Sequence, residues 1–350
     1  MVKKIFLHVG TPKTGTTSIQ TGLIENADLI SKHDFIYPDI TGSGFGWRGQ
    51  RGVSTGNASL GWSHFAWKEK QHIKRLPQLL DQTQNTVKCD NIILSSEDLA
   101  RLLVFPEFWE ILSDFSVRSK INVDVVLYLR DPFSMFLSCY EQRVKTDGFV
   151  GRLSDFVSFF VEKPDSLSFN IHKRVLEIIG YAKQYNVNLL LFRYENSRGK
   201  ILKHFLSEAC NLNIDIIEQN EKRNVSLNIF EVEFFRGINS VQKKLGRMLG
   251  YDFTDMVLAS NRKKIEGIHP YVISADAISV LERTFHDYEK LIRGQVSFHQ
   301  EINYEIDFNR VSTTLSGEDI DFRQRIYDLG VLFANSYTDG YLNWQMNKGR

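Results

Sequence analysis

The residues with chemical potential gather in a few short segments, and the first lies near the start of the chain. Gly10-Thr-Pro-Lys13-Thr14-Gly15-Thr16-Thr17-Ser18-Ile-Gln20 follows an apolar run, Lys4–Val9, and leads into a helical pattern. A strand, a glycine/threonine turn and a helix start make an anion cradle, because backbone N–H groups and the positive end of the helix dipole point at the ligand. The Gly10–x4–Gly15 spacing copies the phosphate-loop frame. Thr16, however, stands where a Walker loop has lysine, and the lysine of this chain, Lys13, lies inside the turn. Walker enzymes also hold Mg²⁺ with a carboxylate at a later strand end, whereas the later strands here end in Ser95-Ser96 and Arg130. A cradle with its own cation and no metal site suits an adenylyl-type donor carrying one transferable group.

A second anion site is expected where the run Val123–Leu129 meets Arg130-Asp131-Pro132. Asp131 is a good N-cap and Pro132 suits a first helical position. Arg130 then stands at the carboxyl edge of the sheet, where open α/β folds bind ligands. Ser138 shares a helix face with Ser134. Tyr194, in Phe192-Arg193-Tyr194-Glu195, offers an aromatic face to a purine or simply closes the edge of the core.

For a proton acceptor the best-placed carboxylate is Glu97 in Ile92-Ile93-Leu94-Ser95-Ser96-Glu97-Asp98. The plain alternative is a capping box, Ser95-x-x-Asp98, with Glu97 complementing a helix dipole. His64 and His8 compete for the same role, although His8, inside an apolar strand, reads as a core histidine. Trp47, Arg48, Arg51, Trp62, His64 and Trp67 share one glycine-rich stretch. Aromatic plates with cations suit a hydroxylated, anionic glycan, and a surface loop with inward tryptophans is the equal alternative. Gly44-x-Gly46-x-x-Gly49 in that stretch matches a dinucleotide fingerprint, but no helix opens behind it.

Pro12-Lys13-Thr14-Gly15-Thr16-Thr17 resembles the 5′-phosphosulfate loop of the sulfotransferases that use 3′-phosphoadenosine-5′-phosphosulfate (PAPS), most of all the carbohydrate and bacterial members. The resemblance covers about residues 5–200. It implies that Lys13, Thr14, Gly15, Thr16, Thr17 and Ser18 hold the 5′-phosphosulfate, with Tyr194 near the adenine. An arginine at a strand end with a serine eight residues later reads the 3′-phosphate in that family, and Arg130 and Ser138 match the pattern. Glu97 matches a glutamate that serves such enzymes as base toward a sugar hydroxyl, and no metal is implied. The aryl and steroid enzymes carry an RKGxxGxWK-like segment that this chain lacks, which disfavours a small phenol or steroid acceptor. Glu221-Lys-Arg-Asn-Val-Ser226 is similar to an Asn-x-Ser segment of bacterial members, and capping the next helix explains Ser226 equally well. The rival readings are a P-loop nucleotide kinase or NTPase, and a glycan- or nucleotide-binding protein with the same cradle and no turnover.

The elements that must position these residues are short apolar strands alternating with helices. Lys4–Val9, Asn91–Leu94, Val123–Leu129 and Val187–Phe192 read as buried parallel strands, and Asp34–Tyr37 as a fifth. Thr17–Asn26, Leu99–Leu112, Phe133–Thr146, Ile171–Tyr185 and Ser197–Ala209 read as helices. The expected fold is one α/β domain. It comprises a three-layer P-loop-like core with a mainly parallel sheet over 1–210, then an all-helical part over 211–350. Leu227–Leu249, Ala275–Ile292 and Asp319–Asn343 supply the helices of that part.

With 43 Lys+Arg against 42 Asp+Glu, no bulk charge draws the chain to nucleic acid or an anionic membrane, so its anion sites must be local. Three widely spaced cysteines without a CxxC pair fit a reducing compartment. The first apolar run ends at Leu7, too short for a signal peptide, and no stretch has the length of a membrane span. The expectation is a cytoplasmic protein without an integral membrane segment.

Overall fold

Residue alternation along the strands decides how this chain layers. The computed structural model describes residues 2–38 except 12, 73–162 except 74–75 and 87–88, 171, 174–216 except 198, 227–245, 271–272, 275–283, 311–312, and 321–335 except 322 and 333. In chain order the elements are β1 (Lys4–Val9), α1 (Thr16–Glu25), α2 (Ala27–Ser31), β2 (Phe35–Ile36), α3 (Leu76–Thr86), β3 (Asn91–Ser96), α4 (Pro106–Ser119) and β4 (Asn122–Leu129). Then follow α5 (Pro132–Thr146), α6 (Leu153–Glu162), α7 (Val175–Gln184), β5 (Asn188–Arg193), α8 (Ile201–His204), α9 (Ile229–Leu245), β6 (Tyr271–Val272) and β7 (Val311–Ser312). Residues 275–283 and 323–332 are also helical.

The chain divides into two compact units. The first joins Met1–Pro132, Asp165–Lys222 and His286–Tyr304, and the second joins Phe133–Pro164, Arg223–Phe285 and Glu305–Arg350. The sheet of the first unit is parallel throughout, in the order β2-β3-β1-β4-β5.

Period-two alternation sends successive side chains of each strand to opposite faces. Ile5, Leu7, Val9, Leu94, Val125 and Leu127 share one cluster with Trp109 and Phe115 of α4 and Ile178 of α7. Phe6, Ile93, Val126, Tyr128 and Phe192 share the other with Ile19 and Leu23 of α1 and Phe205 beyond α8. Helices therefore cover both faces of the sheet in three layers, as expected, and the strands read as near-continuous apolar runs for that reason. Each large apolar side chain removed from water contributes about 1.5–3 kcal/mol.

The expected helix Leu99–Leu112 is two elements. A 3₁₀ segment, Asp98–Leu102, precedes α4, and Phe105 between them is extended at φ −107°, ψ 124°. Pro106 is the cause, because its ring disfavours a helical conformation at the residue before it. The helix expected from Ser197 starts at Ile201, after Gly199 turns the chain at φ 84°. Its end, Phe205–Ala209, winds as a π-turn.

In the second unit an aromatic cluster joins α5 to α6, with ring centres of Phe136 and Phe156 5.0 Å apart and those of Tyr140 and Phe156 5.6 Å apart. Buried polar residues of α9 bind carbonyls at the end of α5 and in the turn that follows it. Asn239 Nδ2 donates to Val144 O at 2.7 Å and Arg236 Nε to Val150 O at 3.1 Å. A Cβ on Gly237 would fall 2.1 Å from Tyr327 O, and one on Gly330 2.2 Å from Phe234 O, so α9 and helix 323–332 meet backbone to backbone. The expectation of an all-helical C-terminal part is corrected by β6 and β7, which pair in parallel at Tyr271↔Val311. Two-residue strands carry no periodic signal. No helix among the described residues is long and apolar enough to cross a membrane.

Candidate functional site

The candidate site grows from the end of β1. Gly10 N donates to Ser96 O at 3.4 Å, which ties the first loop residue to the last residue of β3. A Cβ on Gly10 would lie 2.0 Å from Thr16 Oγ1, so the turn closes only on glycine. Lys13 (φ 68°) and Gly15 (φ 77°) are both left-handed and flank Thr14. Left-handed residues within such a turn swing successive N–H groups toward one concavity. For a residue with a Cβ, such as Lys13, the conformation costs about 1–2 kcal/mol, so neighbouring contacts must hold it.

Those contacts are present. Thr14 Oγ1 donates to Thr11 O at 2.7 Å, and Thr11 Oγ1 donates to Tyr128 O at 2.9 Å on β4. Both threonines are buried, so their hydroxyls brace the loop from within. Arg130 Nη1 donates to Lys13 O at 3.0 Å.

Gly15 caps α1 without a side-chain hydrogen bond, and Ile19 N donates to Gly15 O at 3.1 Å. The amides of Thr16, Thr17 and Ser18 therefore precede the first intrahelical bond and form the positive end of the helix. No acidic residue sits in this first turn. Thr16 is buried and its Oγ1 has no hydrogen-bond partner among the described residues, Thr17 is half-buried, and Ser18 is exposed.

The ends of β4 and β5 meet this loop. The Arg130 guanidinium lies 5.4 Å from the centre of the Tyr194 ring, and a Cβ on Gly15 would stand 3.3 Å from Tyr194 Cε2. Asp131 N donates to Glu195 Oε1 at 2.8 Å, while Arg193 Nε donates to Glu195 Oε2 at 3.2 Å. Glu195 thus fixes the turn that presents Arg130, a role that two residues of sequence after β5 gave no signal for. Lys13, Arg130 and Tyr194 converge on one edge.

Glu97 follows β3, whose Ser96 is in register with Val9 at the end of β1. It is exposed and stands at the N-cap of the 3₁₀ segment, where its side chain makes no capping hydrogen bond. The capping-box alternative does not hold, because Ser95 lies inside β3 and is fully buried. Ser95 Oγ instead accepts from Gln20 Nε2 at 3.2 Å and shares a 2.8 Å hydrogen bond with His8 Nδ1. His8 is a core residue, as expected: it packs beside Tyr128 and Phe205, and burial lowers its pKa to about 3. A neutral, sealed imidazole cannot serve as the base toward an external acceptor. Gln20 was missed as a partner of the site. Its signal was a long polar side chain between Ile19 and Leu23 on the buried face of α1.

Ser138 belongs to the second unit, on α5, and is buried there. Trp47, Arg48, Arg51, Trp62, His64 and Trp67 lie outside the described residues, as does Glu221–Ser226. A cavity of about 270 Å³ behind α8, bordered by Lys203, Ser207, Asn213 and Asp215, contains none of the expected site residues.

Comparison with protein-family models and with curated proteins finds no match to this chain. Its class rests on the fold: an α/β protein with a five-stranded parallel sheet and a glycine/threonine turn at the amino end of α1.

Proposed function

We propose that the chain is a sulfotransferase that moves a sulfuryl group from PAPS to a hydroxyl of an acceptor, most fittingly a carbohydrate. The observation that carries this reading is the loop at the end of β1. Two left-handed residues flank Thr14, the first amides of α1 precede its intrahelical bonds, and Arg130 from the end of β4 holds the carbonyl of Lys13 inside the turn. The residues present fit an anionic donor, since the buried hydroxyl of Thr16 lacks a partner among the described residues.

The donor supplies a sulfur–oxygen bond to phosphate, which breaks as the acceptor oxygen bonds to sulfur and adenosine 3′,5′-bisphosphate departs. Lys13 neutralises charge on the departing phosphate oxygen, and the Gly15–Ser18 amides orient the group. Arg130 offers a bidentate fork to the 3′-phosphate. Ser138 joins that role on the resemblance, and Tyr194 takes the adenine side. Glu97 accepts the proton of the acceptor hydroxyl.

The test is nucleotide preference without metal. Adenosine 3′,5′-bisphosphate should raise the melting temperature in the presence of a chelator, because a ligand bound only by the native state stabilises it by mass action. Stabilisation by ATP that requires Mg²⁺, with none by the bisphosphate, would favour a kinase or NTPase and remove this reading. Binding without turnover of PAPS on an acceptor panel would leave a nucleotide-binding protein.

A further inference from the structure

Gln20 occupies a place on α1 where an aliphatic residue would pack, 4% exposed between Ile19 and Leu23. Its amide makes two bonds, both to one residue of β3: Nε2 reaches Ser95 O at 3.3 Å and Ser95 Oγ at 3.2 Å. His8 faces Ser95 in register across β1 and β3, and its Nδ1 shares the 2.8 Å bond with Ser95 Oγ. All three residues are buried. One step along, Gly10 N holds Ser96 O, and Ala100 N donates to Glu97 O at 3.2 Å, turning the chain as soon as the strand ends.

A buried amide is costly unless its hydrogen bonds are made, so Gln20 demands one register of α1 against β3 where an apolar contact would tolerate sliding. Glu97 lies two residues beyond Ser95, and the anion loop lies at the amino end of the helix that carries Gln20.

We propose that Gln20 is a positioning residue: acting through Ser95, it sets where Glu97 stands relative to the loop around Lys13. The proposal rests on Glu97 being the proton acceptor. Reacting groups must be held closely, and a displacement near 1 Å can cost about 100-fold in rate.

The experiment uses the full chain with Gln20→Met and with Ser95→Ala, each alone and combined with Glu97→Gln. Gln20→Met keeps the length of the side chain and loses its donor, while Ser95→Ala removes a single oxygen, so one variant stands if the other fails to fold. The readings are kcat for PAPS turnover and calorimetric affinity for adenosine 3′,5′-bisphosphate. We expect kcat to fall roughly 10- to 100-fold with nucleotide affinity held within about twofold. In the Glu97→Gln background the same substitutions should add almost nothing, because a residue that acts through Glu97 has nothing left to position. An equal loss in both backgrounds overturns the proposal, as does an unchanged kcat or a nucleotide affinity that falls in step with it. Failure of the underlying reading looks different: Glu97→Gln alone then leaves turnover intact.

Discussion

Arg130 donates from Nη1 to the carbonyl oxygen of Lys13 at 3.0 Å, joining residues 117 positions apart. Lys13 is left-handed without glycine's freedom, and this bond falls on its own carbonyl. The same guanidinium stacks on Tyr194, which in turn packs against Gly15. One side chain therefore braces the loop as well as standing at the edge where a second phosphate would bind.

Two separable losses follow for Arg130→Ala. Removal of the brace should weaken any nucleotide that uses the loop by about 1 kcal/mol, the net worth of an ordinary hydrogen bond. A nucleotide with a 3′-phosphate should lose a further ~1.5–3 kcal/mol, because that bond is charge-assisted. Calorimetry with adenosine 3′,5′-bisphosphate and adenosine 5′-monophosphate separates the two. Equal losses for both nucleotides would remove the 3′-phosphate role, and no loss for the monophosphate would remove the brace.

Glu97→Gln tests the chemistry itself. General-base catalysis contributes about 10²–10⁴-fold, so kcat should drop by that order while nucleotide affinity holds. Because Glu97 is exposed, and glutamine keeps its size and can still accept a hydrogen bond, the substitution should change the melting temperature little. Near-normal turnover would falsify the assignment and make His64→Ala the next variant to measure.

The strands and the loop could be read from the chain because each is a local pattern. Lys4–Val9 is apolar since both its faces are covered, and Gly10 and Gly15 mark a turn by their type. The break at Phe105 escaped periodicity because Leu99, Leu102, Leu103, Phe108, Trp109 and Leu112 all enter one cluster, so the apolar spacing runs straight across it. Pro106 was the available signal. Helix α3, with its polar LPQLLDQTQNT sequence, offered too few apolar positions for a pattern, although Leu76 and Leu80 are fully buried. Pairings such as Gln20 with Ser95 and Arg130 with Lys13 depend on strand register and loop path, which no short segment encodes.

Stability should fall in mild acid through His8. Burial lowers its folded-state pKa to about 3, below the ordinary value of 6.5, so the unfolded chain takes up the proton first. The contribution is fully present above about pH 6.5 and declines by up to ~1.4 kcal/mol per pH unit below it. His204, which shares a 2.9 Å hydrogen bond with the buried Tyr128 hydroxyl, is shifted down by burial as well and adds in the same sense. Urea midpoints at pH 7 and pH 5 should show a smaller drop for His8→Asn than for the native chain. Parallel drops in the two proteins would mean that His8 is not the group being protonated.

Thr16 offers the sharpest separation of stability from ligand binding. Its hydroxyl is buried at the start of α1 and has no hydrogen-bond partner among the described residues, so the ligand-free fold carries an uncompensated polar atom there. Valine has nearly the same shape and helix propensity, and the substitution replaces that hydroxyl with a methyl group. Thr16→Val should therefore stabilise the ligand-free protein by about 1 kcal/mol or more, the desolvation penalty of an unsatisfied group. If the hydroxyl is the donor kept for an anion in the loop, the same variant should bind adenosine 3′,5′-bisphosphate more weakly by ~1.5–3 kcal/mol, the range for a bond to a charged acceptor. Thr16→Ser keeps the donor and should keep the affinity. A substitution that raises stability at the cost of binding is the signature of a polar atom held for a ligand. Were Thr16→Val to destabilise the ligand-free chain, the hydroxyl would have a structural partner. Were it to stabilise the chain and leave nucleotide affinity unchanged, the anion would lie elsewhere than at the head of α1.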